Sequence, residues 1–112
     1  MATIAPTKPV TVAFPTNDVI ATLVAELIEV AKAEAQVRGI PLPPDNPKII
    51  KAPIPMDSLS VVDTLCALEP VVGFELRESI VRTGGYSSIE AALEHLVPKI
   101  ERVWIRKKGS KP

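Results

Sequence analysis

A chain of 112 residues, 46% of them hydrophobic, is long enough for one small core once its proline-rich flanks are set aside, and too short for a second domain to be expected. Thirteen acidic side chains balance thirteen basic ones, so bulk charge argues neither for nucleic-acid binding nor for attraction to a membrane surface. The single cysteine, Cys66, excludes an internal disulfide and a cysteine-built metal site. With no basic start followed by an apolar run, and no stretch near the ~20 apolar residues that span a bilayer, a soluble cytoplasmic protein without a membrane span is the expectation.

Residues 1 to 16 contain Pro6, Pro9 and Pro15, which remove amide donors and bias the preceding residues toward extended backbone, so this arm is expected to be extended or disordered. A first helix is predicted from a cap at Thr16 or Asn17 to about Val37, with Ile20, Leu23, Val24, Leu27 and Ala31 recurring at helical spacing. Gly39 and Pro41 supply its stop signal. From Gly39 to Met56 the chain holds Pro41, Pro43, Pro44, Pro47, Pro53 and Pro55, which predicts a long irregular crossing.

Asp57 or Ser58 caps the next helix, whose Leu59, Val62, Leu65, Cys66 and Val72 are expected on one broad apolar face. Pro70 is expected to end or bend it near Glu69. A short third helix fits around Glu78 to Val81, ahead of Gly84-Gly85. Ser87 with Glu90 three residues on forms a capping box for a last helix with Ile89, Leu93, Leu96 and Val97 turned inward. Pro98 should stop or kink that helix. Ile100, Val103 and Trp104 then repeat at helical spacing in an extension that closes in a basic tail. With no strand signal and no repeat, the fold expected is all-α: a small four-helix bundle over 17 to 97, flanked by the arm and by a 98 to 112 extension.

Charge is unevenly placed. Asp57, Asp63, Glu69, Glu75 and Glu78 face one base, Arg77, in the middle of the chain, whereas Lys99, Arg102, Arg106, Lys107, Lys108 and Lys111 outweigh Glu101 near its end. Ser58 stands at the start of a helix, where unpaired amides and the macrodipole favour a phosphate group. Read alone, Asp57 and Ser58 are a helix cap, as such residues are in most proteins.

Their neighbours carry more. Asp57-Ser58-Leu59, Val62, Asp63, Leu65, Ala67-Leu68-Glu69 and Glu75-Leu76 follow one another in the order of the prosthetic-group segment of acyl carrier proteins, which this stretch closely resembles. The resemblance extends over about 17 to 97, taking in the first helix, the long loop and the capped Ile89-Glu90-Ala91-Ala92-Leu93 helix. It implies a four-helix carrier that is not itself an enzyme. It further implies that Ser58 bears a 4'-phosphopantetheine whose thiol carries acyl or aminoacyl groups as thioesters, and that Asp57 supports its attachment by a phosphopantetheinyl transferase. Leu59, Asp63, Cys66, Glu75 and Glu78 are the implied contacts for the enzymes that load and unload the cargo, in fatty acid, polyketide or aminoacyl chemistry. The chain departs from the family at Pro55-Met56, where a glycine usually stands two residues before the serine. It also has Ser60 at a commonly acidic position, Pro70 after Ala-Leu-Glu, about two extra residues around Gly84-Gly85, and both terminal extensions. These departures point to a specialised member.

A carrier-like bundle that is never modified and serves as a protein-interaction module is the alternative, motivated by the Pro55-Met56 lead-in. An enzyme with Ser58 as nucleophile needs a base that no motif supplies. Cys66 reads as packing on the apolar side of its helix, His95 as solvated or packing and facing outward, Glu69 as structural, and Trp104 as packed on its own bundle.

Overall fold

Among the described residues, 13 to 109 of a computed structural model, four α-helices account for most of the chain and no strand is formed: α1 (Thr16–Arg38), α2 (Asn46–Lys51), α3 (Ser58–Val72) and α4 (Ile89–Trp104). A 3-10 turn (Glu78–Ile80) and a π-helical turn (Ile105–Gly109) complete them. The expected all-α bundle is what forms. Of the arm assigned to 1 to 16, residues 1 to 12 lie outside the described residues, as does the end of the basic tail from 110.

α1 is the central element and packs against both α3 and α4. Its buried side chains are Val19, Leu23, Leu27, Ile28, Ala31 and Ala35, a stripe at helical spacing. Ile20 and Val24, expected inside, are half-buried at its margin. No side chain caps its start, but its end is closed as expected: Gly39 adopts φ +72° and donates its N–H to the Ala35 carbonyl.

The crossing from 39 to 56 is not wholly irregular. Asp45 accepts the Lys48 amide at 3.0 Å and Pro47 sits in the first turn of α2, where its missing N–H costs nothing, so a short helix forms inside the proline-rich stretch and buries Ile49. α2 rests on α1 and α4.

Pro70 is expected to end or bend its helix and Pro98 to stop or kink its own, and neither ends its helix. Pro70 is exposed in the last turn of α3, which runs on to bury Val72 and closes at Gly73, φ +87°, with the Gly73 N–H on the Glu69 carbonyl. Pro98 is exposed in mid-α4, which continues for more than a turn and buries Ile100 and Trp104. An interior proline costs about 3 kcal/mol, while burying Ile100 and Trp104 returns roughly 1.5–3 kcal/mol each, so beyond Pro98 packing outweighs the lost hydrogen bond. Residues 98 to 104 therefore continue α4 into the core and are not an appendage beyond it. Trp104 also contacts the rings of Phe14, at 5.9 Å and edge-on, and Phe74, at 6.4 Å.

The α4 cap is Ser88, one residue later than the Ser87 expected; its Oγ accepts the Ala91 amide at 3.0 Å. The inward stripe is Ile89, Ala92, Leu96, Ile100 and Trp104, with Leu93 and Val97 half-buried.

Candidate functional site

α3 opens on Asp57, whose extended backbone and side chain form the cap: a carboxylate oxygen accepts the Ser60 amide at 2.8 Å. Ser58 is thus the first helical residue, half-exposed, and among the described residues its hydroxyl makes no hydrogen bond. The amides of that first turn and the positive end of the helix dipole lie beside it.

The core face of α3 is turned from the one expected. Val61, Thr64, Leu65, Leu68 and Val72 are buried, whereas Leu59 is 74% exposed and Cys66 is exposed, so both leave the predicted apolar face. The physical reason is that Thr64 behaves as an apolar residue here. Its hydroxyl donates to the Val61 carbonyl at 2.7 Å within the helix, which leaves only its methyl to pack. Leu59, Asp63 and Cys66, four and three residues apart, instead form an outward stripe running away from Ser58.

Two grooves flank that stripe. One, of about 550 Å³, lies between α3 and residues 75 to 79 and brings Cys66, Glu75 and Glu78 together with Val62, Glu69 and Leu76. The other, of about 300 Å³, lies between α1 and α3 and sets Asp63 and Ser60 among Glu26, Glu29 and Glu34. The ion pairs among the described residues are Lys32–Glu29 and Arg38–Glu34, both within α1, so among those residues Asp57, Asp63, Glu69, Glu75 and Glu78 have no basic partner within ion-pair distance. Arg77 also lines the first groove, so the face of α3 beyond Ser58 carries an excess of acids with that one base among them.

The approach to Ser58 is fixed by contacts the sequence reading did not assign. Met56 and Tyr86 form an antiparallel bridge, each N–H donating to the other's carbonyl at 2.9 Å, and both residues are buried. Gly85, buried with φ +84°, lies against the same backbone: a Cβ there would run into the Met56 carbonyl and stand 2.9 Å from the Asp57 Cα. The Tyr86 hydroxyl accepts the Arg82 amide at 2.9 Å and lies 2.6 Å from His95 Nδ1. His95 is accordingly half-buried against Tyr86 rather than turned out to solvent. Burial, together with the positive charges of Arg82 and Lys99, lowers the His95 pKa; burial raises that of Tyr86 despite the Arg82 amide and charge. The adjacent pair Gly84-Gly85 was the one signal in the sequence for this clasp.

No helix among the described residues is long and apolar enough to cross a membrane, and no group of three or more potential metal-ligating side chains is found among them. Comparison with protein families, with curated proteins and with solved structures gave no match.

Proposed function

We propose that this protein is a phosphopantetheine-dependent carrier of acyl or aminoacyl groups, specialised within the acyl carrier family, with Ser58 as its attachment residue. The observation that carries the reading is the half-exposed Ser58 hydroxyl, without a hydrogen-bond partner among the described residues, in the first turn of a helix capped by Asp57. A phosphodiester on that oxygen would sit beside free amides and the positive end of the helix dipole, so the residues present fit the group. When attached, the arm supplies a thiol that holds cargo as a thioester.

The chain's own residues would do the rest. Asp57 fixes the helix start and is itself exposed, so its carboxylate would be within reach of the transferase's metal ion and would support it. Val62, Cys66 and Leu76 line the groove that begins one turn along α3 from Ser58, a surface for the arm to lie against. Asp63, Glu75 and Glu78, without ion-pair partners among the described residues, would steer basic faces of the loading and unloading enzymes, a use of charge that speeds encounter more than it tightens binding. No catalytic role of its own follows from this reading, and a cytoplasmic setting accords with it.

Intact mass after co-expression with a broad-specificity phosphopantetheinyl transferase tests the proposal. A gain of one arm on the natural chain, absent from Ser58→Ala, supports it. If both chains stay folded and unmodified, the second reading takes its place: an unmodified interaction module, favoured by the buried Met56–Tyr86 bridge at the position where carriers usually have a glycine.

A further inference from the structure

We infer that Tyr86 and His95 form a pH-sensitive latch on the turn that carries Ser58, closed when the imidazole is neutral and released when it is protonated. The latch concerns the positioning of that turn and holds whether or not the serine is modified.

Three links connect the ring to the serine. The first is the Tyr86 hydroxyl against His95 Nδ1 at 2.6 Å. The second is the main chain of Tyr86, whose N–H and C=O both bond to Met56. The third is the covalent step from Met56 through Asp57 to Ser58, with Gly85 pressed against the Met56 carbonyl so that the two strands of chain cannot shift independently. A single bridge of two hydrogen bonds is weak alone, since an isolated pair of short extended segments is marginal in water. What holds it is the anchorage of the Tyr86 side chain.

The direction of the proton decides the state. The Tyr86 oxygen already accepts the Arg82 amide, and no acceptor other than His95 Nδ1 is recorded for its hydrogen among the described residues. With the imidazole neutral and its hydrogen on Nε2, Nδ1 accepts the phenol hydrogen, and both the Tyr86 hydroxyl and Nδ1 are satisfied. With the imidazole protonated, Nδ1 becomes a donor, the phenol hydrogen loses its acceptor in a half-buried place, and an unmade bond there costs about 1–3 kcal/mol. The charge is also unwelcome. The Arg82 guanidinium stacks on the Tyr86 ring at 5.1 Å, and Lys99 acts on His95 from one turn further along α4. Among the described residues no carboxylate of α1, of Asp45, of Glu78 or of α4's own Glu90 and Glu94 lies within ion-pair distance of His95 to compensate.

Amide hydrogen exchange measured by NMR on the full chain tests this, with the Met56 and Tyr86 amides corrected for intrinsic exchange and expressed relative to Leu27 in α1. From about pH 7.5 down through the His95 ring titration, followed on the same sample, the relative protection of Met56 in the natural chain is expected to fall at least about five-fold, with the midpoint of that titration. In His95→Gln the ratio should not vary with pH, and in Tyr86→Phe it should be low at both. Unchanged Met56 protection across the His95 titration overturns the latch. So does a fall that persists in His95→Gln. Because the decisive titration is made on the natural chain, a variant that fails to fold does not remove the test.

Discussion

Gly85 lies so close to Asp57 that a single added methyl group would stand 2.9 Å from the Asp57 Cα and overlap the neighbouring Met56 carbonyl. Gly84 beside it has a similar left-handed backbone, φ +90°, but open space where a side chain would go. The two glycines therefore separate conformational strain from collision. Gly84→Ala is expected to cost about 1 kcal/mol, the strain of a non-glycine residue at positive φ, and Gly85→Ala at least about 2 kcal/mol because backbone must also move. Urea denaturation of the two variants checks the order, and equal losses would refute the close approach.

Asp57 has two separable uses. Asp57→Ala removes the acceptor for the Ser60 amide and should destabilise the protein by about 1 kcal/mol, whereas Asp57→Asn keeps an acceptor oxygen and should stay within a few tenths of the natural chain. If the carboxylate also supports arm attachment, as proposed, Asp57→Asn will fold normally yet gain the phosphopantetheine mass far more slowly. Equal attachment rates for Asn and Asp would leave the residue as a cap alone.

These residues also mark how far the sequence could be read. The helix start at Asp57-Ser58 and the glycine stop at Gly39 were legible because a cap is a local event, settled by a few neighbouring atoms. The core face of α3 was not, because Thr64 looks polar until its hydroxyl is seen bonded inside the helix, and Leu59 looks buried until the helix is set against α1. Pro98 suggested a helix end for a related reason: its cost is local, but the burial of Ile100 and Trp104 that outweighs it is tertiary. The clasp at Tyr86 joins residues far apart in the chain, so only the Gly84-Gly85 pair announced it.

Stability should have an acid limit set by His95. Burial, then Arg82 and Lys99, hold its folded pKa below the ordinary value of 6.5. Above that value both folded and unfolded states are neutral and the full stability is present. As pH falls below it the unfolded chain takes up the proton first, so stability declines until the folded pKa is passed and then stays reduced. Tyr86 sets the opposite limit: burial raises its folded pKa above the ordinary 10.0, so its contribution is complete below that pH and is lost as pH rises through the folded value. Thermal melts across pH should show the acid decline in the natural chain and a smaller one in His95→Gln. The same slope in both would assign the decline to the carboxylates instead.

Residues beyond Pro98 are part of the core, and their removal should be felt throughout it. Ile100 has no exposed surface and Trp104 is 7% exposed against Phe14 and Phe74, joining the end of α4 to the chain before α1 and to the segment after α3. Ile100→Ala is expected to cost about 2–5 kcal/mol, and a chain ended after Val97 should not fold cooperatively, since it would lose both side chains and expose the residues packed on them. Tryptophan fluorescence reports the intact arrangement directly. Trp104, the only tryptophan, should emit at short wavelength and resist iodide quenching in the native chain, and shift to longer wavelength in Phe74→Ala. A freely quenched Trp104, or a stable fold for the chain ended at Val97, would instead make residues 98 to 104 an extension that the core does not need.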